Sequence, residues 1–403
     1  MAIQAEEVRL GKFRFSSSVA ADVWHPQADA KAYEWWYFDA LSDDGREALV
    51  VIFLDNFIFS PRYNKTVQSL KSEVLSLKSD KSSLESETEK HRSENGNSAS
   101  QIPNPKSQIP NRKTSFRFPA MVLIYYRDGK PLYRAMNEFE PEDFEAGTEK
   151  PFCRLGESEF TFESAPYGSG YLLKINAVLC KKRRLKATLE WLSIESDFLP
   201  EKEVRLEPNS HFWNLVAPRS DVTGKIEVFR PDGKLENIVH FRGTGYHDHN
   251  TDSRWLAETV KDWQWGRAHF NDATVVFYRY RECDESEPVT KLLLIKNGGL
   301  KISDADCEES DFARNIFGLR YPKRLQFSAA EGYKLNIHQT QTMDASFFYL
   351  RFLSEAEFKS PDGTRHEAFA ITEHLAPKAL KYRWLDWLID MRIGRHGKGS
   401  FLP

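Results

Sequence analysis

The chain has 403 residues, which is more than one ordinary domain holds and suits two or three domains. Its composition, 40% hydrophobic, 13% aromatic and 29% charged, is that of a globular protein, and a formal net charge of -3 argues against nucleic acid as the main partner. No apolar run approaches the roughly 18 residues of a membrane span, and the N-terminus has no secretion-signal pattern. Four scattered cysteines without a CxxC pair argue against a disulfide framework or a zinc site, so we expect a cytoplasmic protein.

Strand signals run along most of the chain. Residues 49–54, 121–126, 273–278 and 347–352 are short runs of β-branched or aromatic residues bounded by polar ones. Asp-Gly and Asn-Gly pairs, which adopt the positive φ angles of two-residue hairpins, separate such runs. Convincing amphipathic helices are scarce before the C-terminus. The sequence therefore predicts an all-β protein with two lipocalin-like antiparallel β-barrel domains.

We place the boundary between the two predicted barrels near Pro218. Residues 1–218 then form the first barrel, and residues 219–403 form the second barrel with a terminal helix. The segment 66–115 has no aromatic residue and is dominated by Ser, Lys, Glu and Asn, which predicts a disordered insertion in a surface loop. A partner-binding arm is the alternative, because four aliphatic residues between positions 70 and 84 follow a heptad-like spacing.

Three motifs concentrate aromatic and polar side chains that could carry chemistry. They are Tyr-Glu-Trp-Trp-Tyr-Phe-Asp at 33–39, His-Phe-Trp-Asn-Leu-Val-Ala-Pro at 211–218 and Gly-Thr-Gly-Tyr-His-Asp-His-Asn at 243–250. Side chains alternate along a strand, so Tyr246, Asp248 and Asn250 share one face of the third motif, while His247 and His249 share the other. If the first face looks into an apolar barrel lumen, desolvation keeps Asp248 protonated, ready to act as a general acid.

By the same alternation, His211 and Trp213 point together. An imidazole and an indole beside the acid would offer a proton relay and a π-face for a developing cation. Simpler interpretations stay open: Asp248 could be a buried carboxylate that holds a loop, and Trp36 and Tyr37 could be ordinary core residues.

The opposite alternation would present His247 and His249 as a pair of metal ligands. A glutamate a few residues later would help to complete such a site, but the next one, Glu258, comes nine residues after His249. We therefore predict no metal site, with the two histidines polar or structural. The sequence also contains no GxSxG, GxGxxG or GxxxxGK[ST] motif, which disfavours a serine nucleophile and a nucleotide cofactor.

Taken together, the three motifs resemble the carotenoid 1,2-hydratases, also called hydroxyneurosporene synthases. These enzymes belong to a wider group of double-lipocalin proteins that includes some pericyclases. The similarity covers most of the chain apart from the segment 66–115. The chain also departs from the family after the third motif, where residues 251–254 read Thr-Asp-Ser-Arg and relatives often have a small residue and Gly.

The resemblance implies cofactor-free hydration of the terminal C1=C2 double bond of an acyclic carotenoid of the lycopene or neurosporene type, through protonation to a tertiary cation. It assigns four residues to catalysis: Asp248, Tyr246, His211 and Trp213. We assign three more to substrate binding: Trp36, Tyr37 and Asn250. The alternatives are another enzyme of the same fold, such as a pericyclase or a hydratase of another terpenoid or polyketide, and a non-catalytic carrier of hydrophobic ligands.

The end of the chain predicts a helix with an apolar stripe. The stripe comprises Leu380, Trp384, Trp387, Leu388 and Met391, and basic residues surround it. We favour a helix that caps a barrel, because the basic residues do not line one face. The alternative is a helix in the membrane interface, which would bring peripheral membrane contact. The expected partner is thus a hydrophobic polyene, and the sequence does not fix an oligomeric state.

Overall fold

The structure is a computed structural model that describes residues 9–10, 13–73, 116–166, 168–199 and 209–403. Strands dominate these residues, which confirms the predicted all-β class. The strands are β1 (Arg9–Leu10), β2 (Phe13–Ser16), β3 (Tyr33–Leu41), β4 (Glu47–Leu54), β5 (Ala120–Arg127), β6 (Lys130–Glu138), β7 (Phe144–Ala146), β8 (Phe152–Leu155), β9 (Ser158–Ala165), β10 (Gly168–Val178), β11 (Arg184–Glu195), β12 (His211–Phe229), β13 (Leu235–Asp252), β14 (Val260–His269), β15 (Thr274–Glu282), β16 (Val289–Lys296), β17 (Gly299–Arg314), β18 (Arg320–Ala329), β19 (Lys334–Ala345), β20 (Tyr349–Lys359), β21 (Arg365–Leu375) and β22 (Gly394–Arg395).

These strands form two sheets. Among the described residues, fourteen strands build a curled sheet in the order β22-β6-β5-β4-β3-β13-β12-β11-β10-β9-β8-β7, with β2 pairing parallel to β12 and β1 pairing with β2. The strands β14 to β21 form a closed, antiparallel, eight-stranded barrel of the lipocalin-like kind. The first sheet is thus a curled half-barrel, whereas a second closed barrel was predicted.

The predicted division near Pro218 needs correction. Pro218 lies inside β12, a strand of 19 residues that pairs with β11 and β13 in the curled sheet. The chain leaves that sheet after Asp252 and enters the barrel at Val260. A proline followed by polar residues looked like a linker, but here the pairing of β12 with β13 shifts register near Pro218, and such irregularities accommodate proline in a strand.

The apolar residues separate into three cores. One lies within the curled sheet and includes Phe38 and Trp191, and a second fills the barrel and includes Phe277 and Phe327. The third contains residues of both sheets, such as Trp213 from β12 and Tyr278 from β15. The third core therefore lies between the curled sheet and the outer surface of the barrel.

Few residues of the described chain are helical. Residues 61–73 form a helix, α1, and two shorter helices are α2 (Leu256–Thr259) and α3 (Asp386–Asp390). Short 3-10 turns are Pro141–Asp143, Cys180–Lys182, Pro377–Lys381 and Arg383–Leu385. None of the helices in the described ranges is both long and apolar enough to cross a membrane.

Helix α1 corrects the start of the predicted insertion. Residues 66–73 are helical because Tyr63 and Val67, four residues apart, bury their side chains in the core between the sheets. The rest of the predicted insertion, residues 74–115, lies outside the described residues.

The C-terminal segment is also less regular than predicted. Instead of one amphipathic helix it forms two 3-10 turns and the five-residue α3. Its apolar residues divide between two surroundings, since Leu380 and Ile389 are buried in the core between the sheets, while Trp384 and Trp387 are exposed.

Candidate active site

The candidate site is centred on Asp248, near the end of β13. Three side chains donate hydrogen bonds to its carboxyl group. Tyr246 Oη and Trp213 Nε1 donate to Oδ2 at 2.7 Å and 2.9 Å, and Asn250 Nδ2 donates to Oδ1 at 3.0 Å. Tyr246, Asp248 and Asn250 alternate along β13 and so share the face that looks towards the barrel. The predicted strand alternation therefore describes this motif correctly.

Burial controls the protonation of Asp248. Desolvation raises the pKa of its carboxyl to about 7, although the hydrogen bonds from Tyr246 and Trp213 lower it and nearby acidic groups add to the increase. A large fraction of Asp248 is therefore a neutral acid at neutral pH. The same burial and the neighbouring Asp248 raise the pKa of Tyr246 well above its ordinary value, so the phenol keeps its proton and remains a donor.

Asp248 and Asn250 lie on the wall of a cavity of about 300 Å³ between the curled sheet and the barrel. Most of the wall is apolar, with aromatic rings of Trp35, Trp263 and Trp265 among its residues. The lumen of the closed barrel, where a lipocalin would carry its ligand, is filled by its own core. The acid thus faces an apolar cavity as expected, but this cavity lies between the two sheets.

His211 and Trp213 occupy places that differ from the expected relay and π-face. His211 does not bond to Asp248; its Nε2 lies 3.2 Å from Asn250 Oδ1, and its Nδ1 lies 3.7 Å from Asp252. Trp213 stacks on Tyr278 with ring centroids 4.6 Å apart and does not line the cavity. The geometry therefore makes His211 an orienting partner of Asn250 and makes Trp213 a hydrogen-bond donor to the acid.

The two aromatic residues assigned to substrate binding lie on opposite faces of β3. Tyr37 lines the cavity, opposite Asp248 in the pairing of β3 with β13. Trp36 is fully buried in the core of the curled sheet, so its assignment was wrong. Neighbouring residues of a strand point to opposite faces, so Trp36 and Tyr37 cannot both line the cavity. The residue that shares the cavity face with Tyr37 is Trp35.

The two histidines of the motif point away from the cavity into a cluster of buried charges. His247 Nε2 lies 3.0 Å from Asp22 Oδ2, and His249 lies between two carboxylates, with Nδ1 3.1 Å from Asp22 and Nε2 2.7 Å from Glu34. Burial lowers the pKa of His249, but these carboxylates outweigh it and raise the pKa to about 9. His249 is therefore an imidazolium in the folded protein at neutral pH.

Part of this cluster has the composition of a metal site. Ligand atoms of His25, Glu34 and His249 lie within 4.8 Å of one another. His25 Nδ1 lies 2.7 Å from Glu34 Oε1, so direct contacts account for this arrangement. A metal would require His249 to lose its proton, which Asp22 and Glu34 oppose. This group contains His249 but not His247, so it is not the pair of ligands that the sequence motif suggested.

Sequence reasoning missed four charged residues on the cavity wall: Asp344, Arg351, Glu373 and Arg392. Arg351 of β20 and Glu373 of β21 are directly opposite each other in the barrel, and Arg351 Nε donates to Glu373 Oε1 at 3.0 Å. Tyr37 Oη lies 3.2 Å from the same oxygen and 2.9 Å from Asp39 Oδ2, so its one proton is shared between these two acceptors. The available signal was a charged residue within an otherwise apolar strand, since Arg351 is the one charged residue of the predicted strand 347–352.

Comparisons with known proteins identify relatives of this chain. A family model described as carotenoid hydratase CrtC matches residues 168–401, which include every residue bonded to Asp248. A protein of Chlorobaculum tepidum named hydroxyneurosporene dehydrogenase is 26% identical over 94% of this chain and 91% of its own. The acyclic carotenoid 1,2-hydratase of Rhodobacter capsulatus is 33% identical over 24% of this chain and 32% of its own.

Solved structures with a similar fold include that of NE1406 of Nitrosomonas europaea, described as a candidate AttH, which superposes with a TM-score of 0.54 over 89% of this chain and 95% of its own, at 13% sequence identity. At that identity the likeness concerns the fold alone, and it extends over both the curled sheet and the barrel.

Proposed function

The chain belongs to the carotenoid hydratase CrtC family, and on this basis we propose that it adds water to the terminal C1=C2 double bond of an acyclic carotenoid. The observation that carries the proposal is Asp248, a buried acid with a pKa of about 7 on the wall of an apolar cavity. A hydrophobic-ligand carrier needs the cavity but has no use for a neutral acid aimed into it. The position of Asp248 therefore favours an enzyme over a carrier.

Proton transfer to the alkene is the first step. An alkene is a very weak base, so its acid must be neutral, close and shielded from water. Oδ2 of Asp248 accepts two hydrogen bonds, from Tyr246 and Trp213, whereas Oδ1 accepts one, from Asn250, so Oδ1 is the oxygen with more room for the acidic proton. The π electrons of the double bond take this proton at C2, the less substituted carbon, and a tertiary cation forms at C1 while Asp248 becomes a carboxylate.

Addition of water completes the reaction. Aromatic rings on the cavity wall, among them Trp263 and Trp265, stabilise the cation while it exists. The oxygen of a water molecule forms a bond to C1, and loss of one of its protons leaves a tertiary alcohol. The reaction consumes one water and no redox equivalent.

The size of the cavity fits a substrate that enters end first. About 300 Å³ is at the lower limit for ligand pockets, and a long polyene has far more volume than this. One terminal isoprenoid unit can therefore be enclosed beside Asp248 while the rest of the chain extends out of the cavity. A terminal double bond is the part of the substrate that this arrangement exposes to the acid.

The test is incubation of the protein with lycopene and with neurosporene in detergent, followed by mass spectrometry. We expect a product heavier than the substrate by one water, and no product from the Asp248→Asn variant. A folded wild-type protein that adds water to neither substrate would refute the carotenoid assignment. Substantial product from Asp248→Asn would refute the role of the acid.

A further inference from the structure

We propose that Glu373, held by Arg351 and Tyr37, binds the water that adds to the substrate and accepts the proton that this water loses. The inference rests on the proposed hydration and adds a second catalytic residue to it. Glu373 and Arg351 line the same cavity as Asp248, on the side contributed by the barrel. They are therefore placed to act on a substrate whose double bond contacts Asp248.

The position of Glu373 relative to Asp248 follows from strand register. Tyr37 lies opposite Asp248 where β3 pairs with β13, and the hydroxyl of Tyr37 reaches Glu373 Oε1 at 3.2 Å. Glu373 lies opposite Trp265 where β14 pairs with β21, and Trp265 also lines the cavity. A single aromatic side chain thus spans the distance between the acid on the curled sheet and the carboxylate on the barrel.

The surroundings of the two carboxyl groups differ in the way that acid–base catalysis requires. Asp248 receives hydrogen bonds from neutral donors only, whereas Glu373 is bonded to the guanidinium of Arg351, whose side chain is only 3% exposed. The two carboxyl groups therefore line one cavity from opposite sheets with different partners, neutral donors at Asp248 and a guanidinium at Glu373. An acid and a base that act on the same substrate need such distinct surroundings.

This part of the wall also offers water the contacts that it needs. A water molecule in a buried site requires two to four polar partners, and Glu373, Arg351 and Tyr37 supply acceptors and donors close together on the cavity wall. A carboxylate accepts at both oxygens, and the bonds from Arg351 Nε and Tyr37 Oη both go to Oε1. Glu373 therefore keeps the capacity to accept a hydrogen bond from water.

The proton balance is complete. Asp248 gives one proton to C2, water forms its bond to C1, and Glu373 takes one proton from that water to become a carboxylic acid. After the product leaves, Glu373 releases its proton and Asp248 takes one up, so that both groups return to their starting states. The net change is one water added to the double bond.

Hydrogen exchange in deuterated water separates this role from a purely structural one. Without a base that activates water, Asp248 still protonates the double bond and the substrate cation still forms. The cation then loses a proton again instead of capturing water. We expect Glu373→Gln to lower hydration about 100-fold and to release recovered substrate that carries deuterium at the terminal double bond. The matched control, Glu355→Gln, changes an exposed glutamate of β20 and should hydrate like the wild type.

A second variant guards against misfolding, because Glu373→Gln leaves the buried Arg351 without its anion. The double variant Arg351→Met/Glu373→Met removes both charges together, which is tolerated better than breaking a buried pair. We expect it to exchange deuterium without hydrating. Unchanged hydration in either variant, or parallel loss of hydration and exchange in both, would overturn the proposal. A wild-type protein that shows neither reaction would instead refute the hydratase function itself.

A separate observation leads to a second inference, which concerns the surface around the cavity. Large apolar side chains are exposed there: Trp384 is 73% exposed, Phe401 79% and Ile316 91%. Each is close in sequence to a residue of the cavity wall, namely Leu388, Leu402 and Phe317. The exposed residues therefore belong to the same short chain segments as residues of the cavity wall.

Contacts tie these segments together. Leu402 N donates to the carbonyl of Met391 at 2.8 Å, and Asn315 Nδ2 donates to the carbonyl of Ser346 at 2.7 Å, and both acceptors belong to residues of the cavity wall. Between residues 376 and 403, Lys378, Arg383 and Lys398 are exposed, whereas Arg392 and Arg395 are partly buried and pair with Asp344 and Glu138. An apolar surface with a basic surplus fits the interface of a bilayer that contains anionic lipid.

We infer that this surface docks on an anionic bilayer, so that a polyene dissolved in the lipid can enter the cavity end first. The test is flotation with vesicles of phosphatidylcholine alone and of phosphatidylcholine mixed with phosphatidylglycerol. We expect the wild type to float with the mixed vesicles and the triple variant Trp384→Ser/Trp387→Ser/Phe401→Ser to remain unbound. Hydration of substrate in detergent should be unchanged, since none of the three residues lines the cavity.

The matched control is Ile238→Ser, which removes an exposed apolar residue at the far end of β13 and should not affect flotation. Failure of the wild type to float, or equal loss of flotation in the control, would overturn the inference. Self-association that the triple variant abolishes would also overturn it, because a second copy of the chain would then cover this surface.

Discussion

The indole nitrogen of Trp213 donates a hydrogen bond of 2.9 Å to Oδ2 of Asp248, although Trp213 itself does not line the cavity. Its ring is covered by Tyr278 and Phe15. Trp213 therefore acts on the reaction through the acid, because it favours the ionised form and fixes the orientation of the carboxyl. This arrangement differs from one in which its ring faces the substrate cation.

Replacing Trp213 with Phe distinguishes these two roles. The variant keeps an aromatic ring but loses the donor that lowers the pKa of Asp248, so we expect the alkaline limit of activity to move up by about one pH unit. The measurement is hydration rate against pH, with Trp263→Phe as control, since that indole lines the cavity without bonding to Asp248. A uniform loss of rate with an unmoved limit would instead indicate that the ring stabilises the cation.

The protonation of Asp248 also predicts the pH dependence of the wild type. Because burial raises the pKa to about 7 and the acid form is the active one, we expect the hydration rate to fall about tenfold for each pH unit above that value. The measurement is initial rate in detergent across the neutral and alkaline range. A rate that stays constant to pH 9 would contradict the assignment of Asp248 as proton donor.

The same shift predicts an effect on stability. Asp248 has a higher pKa in the folded state than its ordinary 3.8, so ionisation opposes folding, and stability falls as pH rises from about 4 to 7. Asp248→Asn removes this dependence. The measurement is urea unfolding of both proteins. We expect the free energy of unfolding of the variant to increase relative to that of the wild type as pH rises over this range. A constant difference between them would show that Asp248 ionises as readily in the folded protein as in the unfolded chain.

The sequence allowed much of the acid's surroundings to be predicted, because strand alternation is a local rule. Tyr246, Asp248 and Asn250 fall on one face in any strand, whatever the sheet packs against. The same rule would have replaced Trp36 with Trp35 had it been applied to the first motif. What alternation cannot supply is the identity of the opposing surface.

Long-range packing accounts for what the sequence left undetermined. Arg351 and Glu373 come more than 100 residues after Asp248 and meet its surroundings only because the barrel packs its outer face against the curled sheet. The division between the sheets was misplaced for a related reason. Strands β12 and β13 are unusually long and continue past the apparent linker, since they pair with each other along most of their length.

Replacement of the two neighbouring tryptophans tests the assignment of faces on β3. Trp35→Leu removes a ring from the cavity wall, so we expect weaker polyene binding with little loss of stability. Trp36→Leu leaves a void in the core of the curled sheet, and we expect a loss of about 3 kcal/mol in the free energy of unfolding. The measurements are substrate titration by fluorescence quenching and urea unfolding. The reverse pattern would show that Trp36, not Trp35, contacts the substrate.

The buried imidazolium of His249 predicts a further pH dependence of stability. Its pKa is raised to about 9 in the folded state from an ordinary 6.5, because Asp22 and Glu34 stabilise the charged form against the cost of burial. The contribution of His249 to stability is therefore complete below pH 6.5 and is lost as pH rises through 9.

His249→Gln leaves the two carboxylates without this cation, and we expect a loss of about 3–5 kcal/mol in the free energy of unfolding at neutral pH. Urea unfolding from pH 6.5 to 9 should show a decline in the wild type that the variant lacks, whereas His338→Gln, in an exposed ion pair with Glu355, should behave like the wild type. If a chelator lowered the stability of the wild type but not of His249→Gln, the cluster would bind a metal ion, and the imidazolium assignment would be wrong.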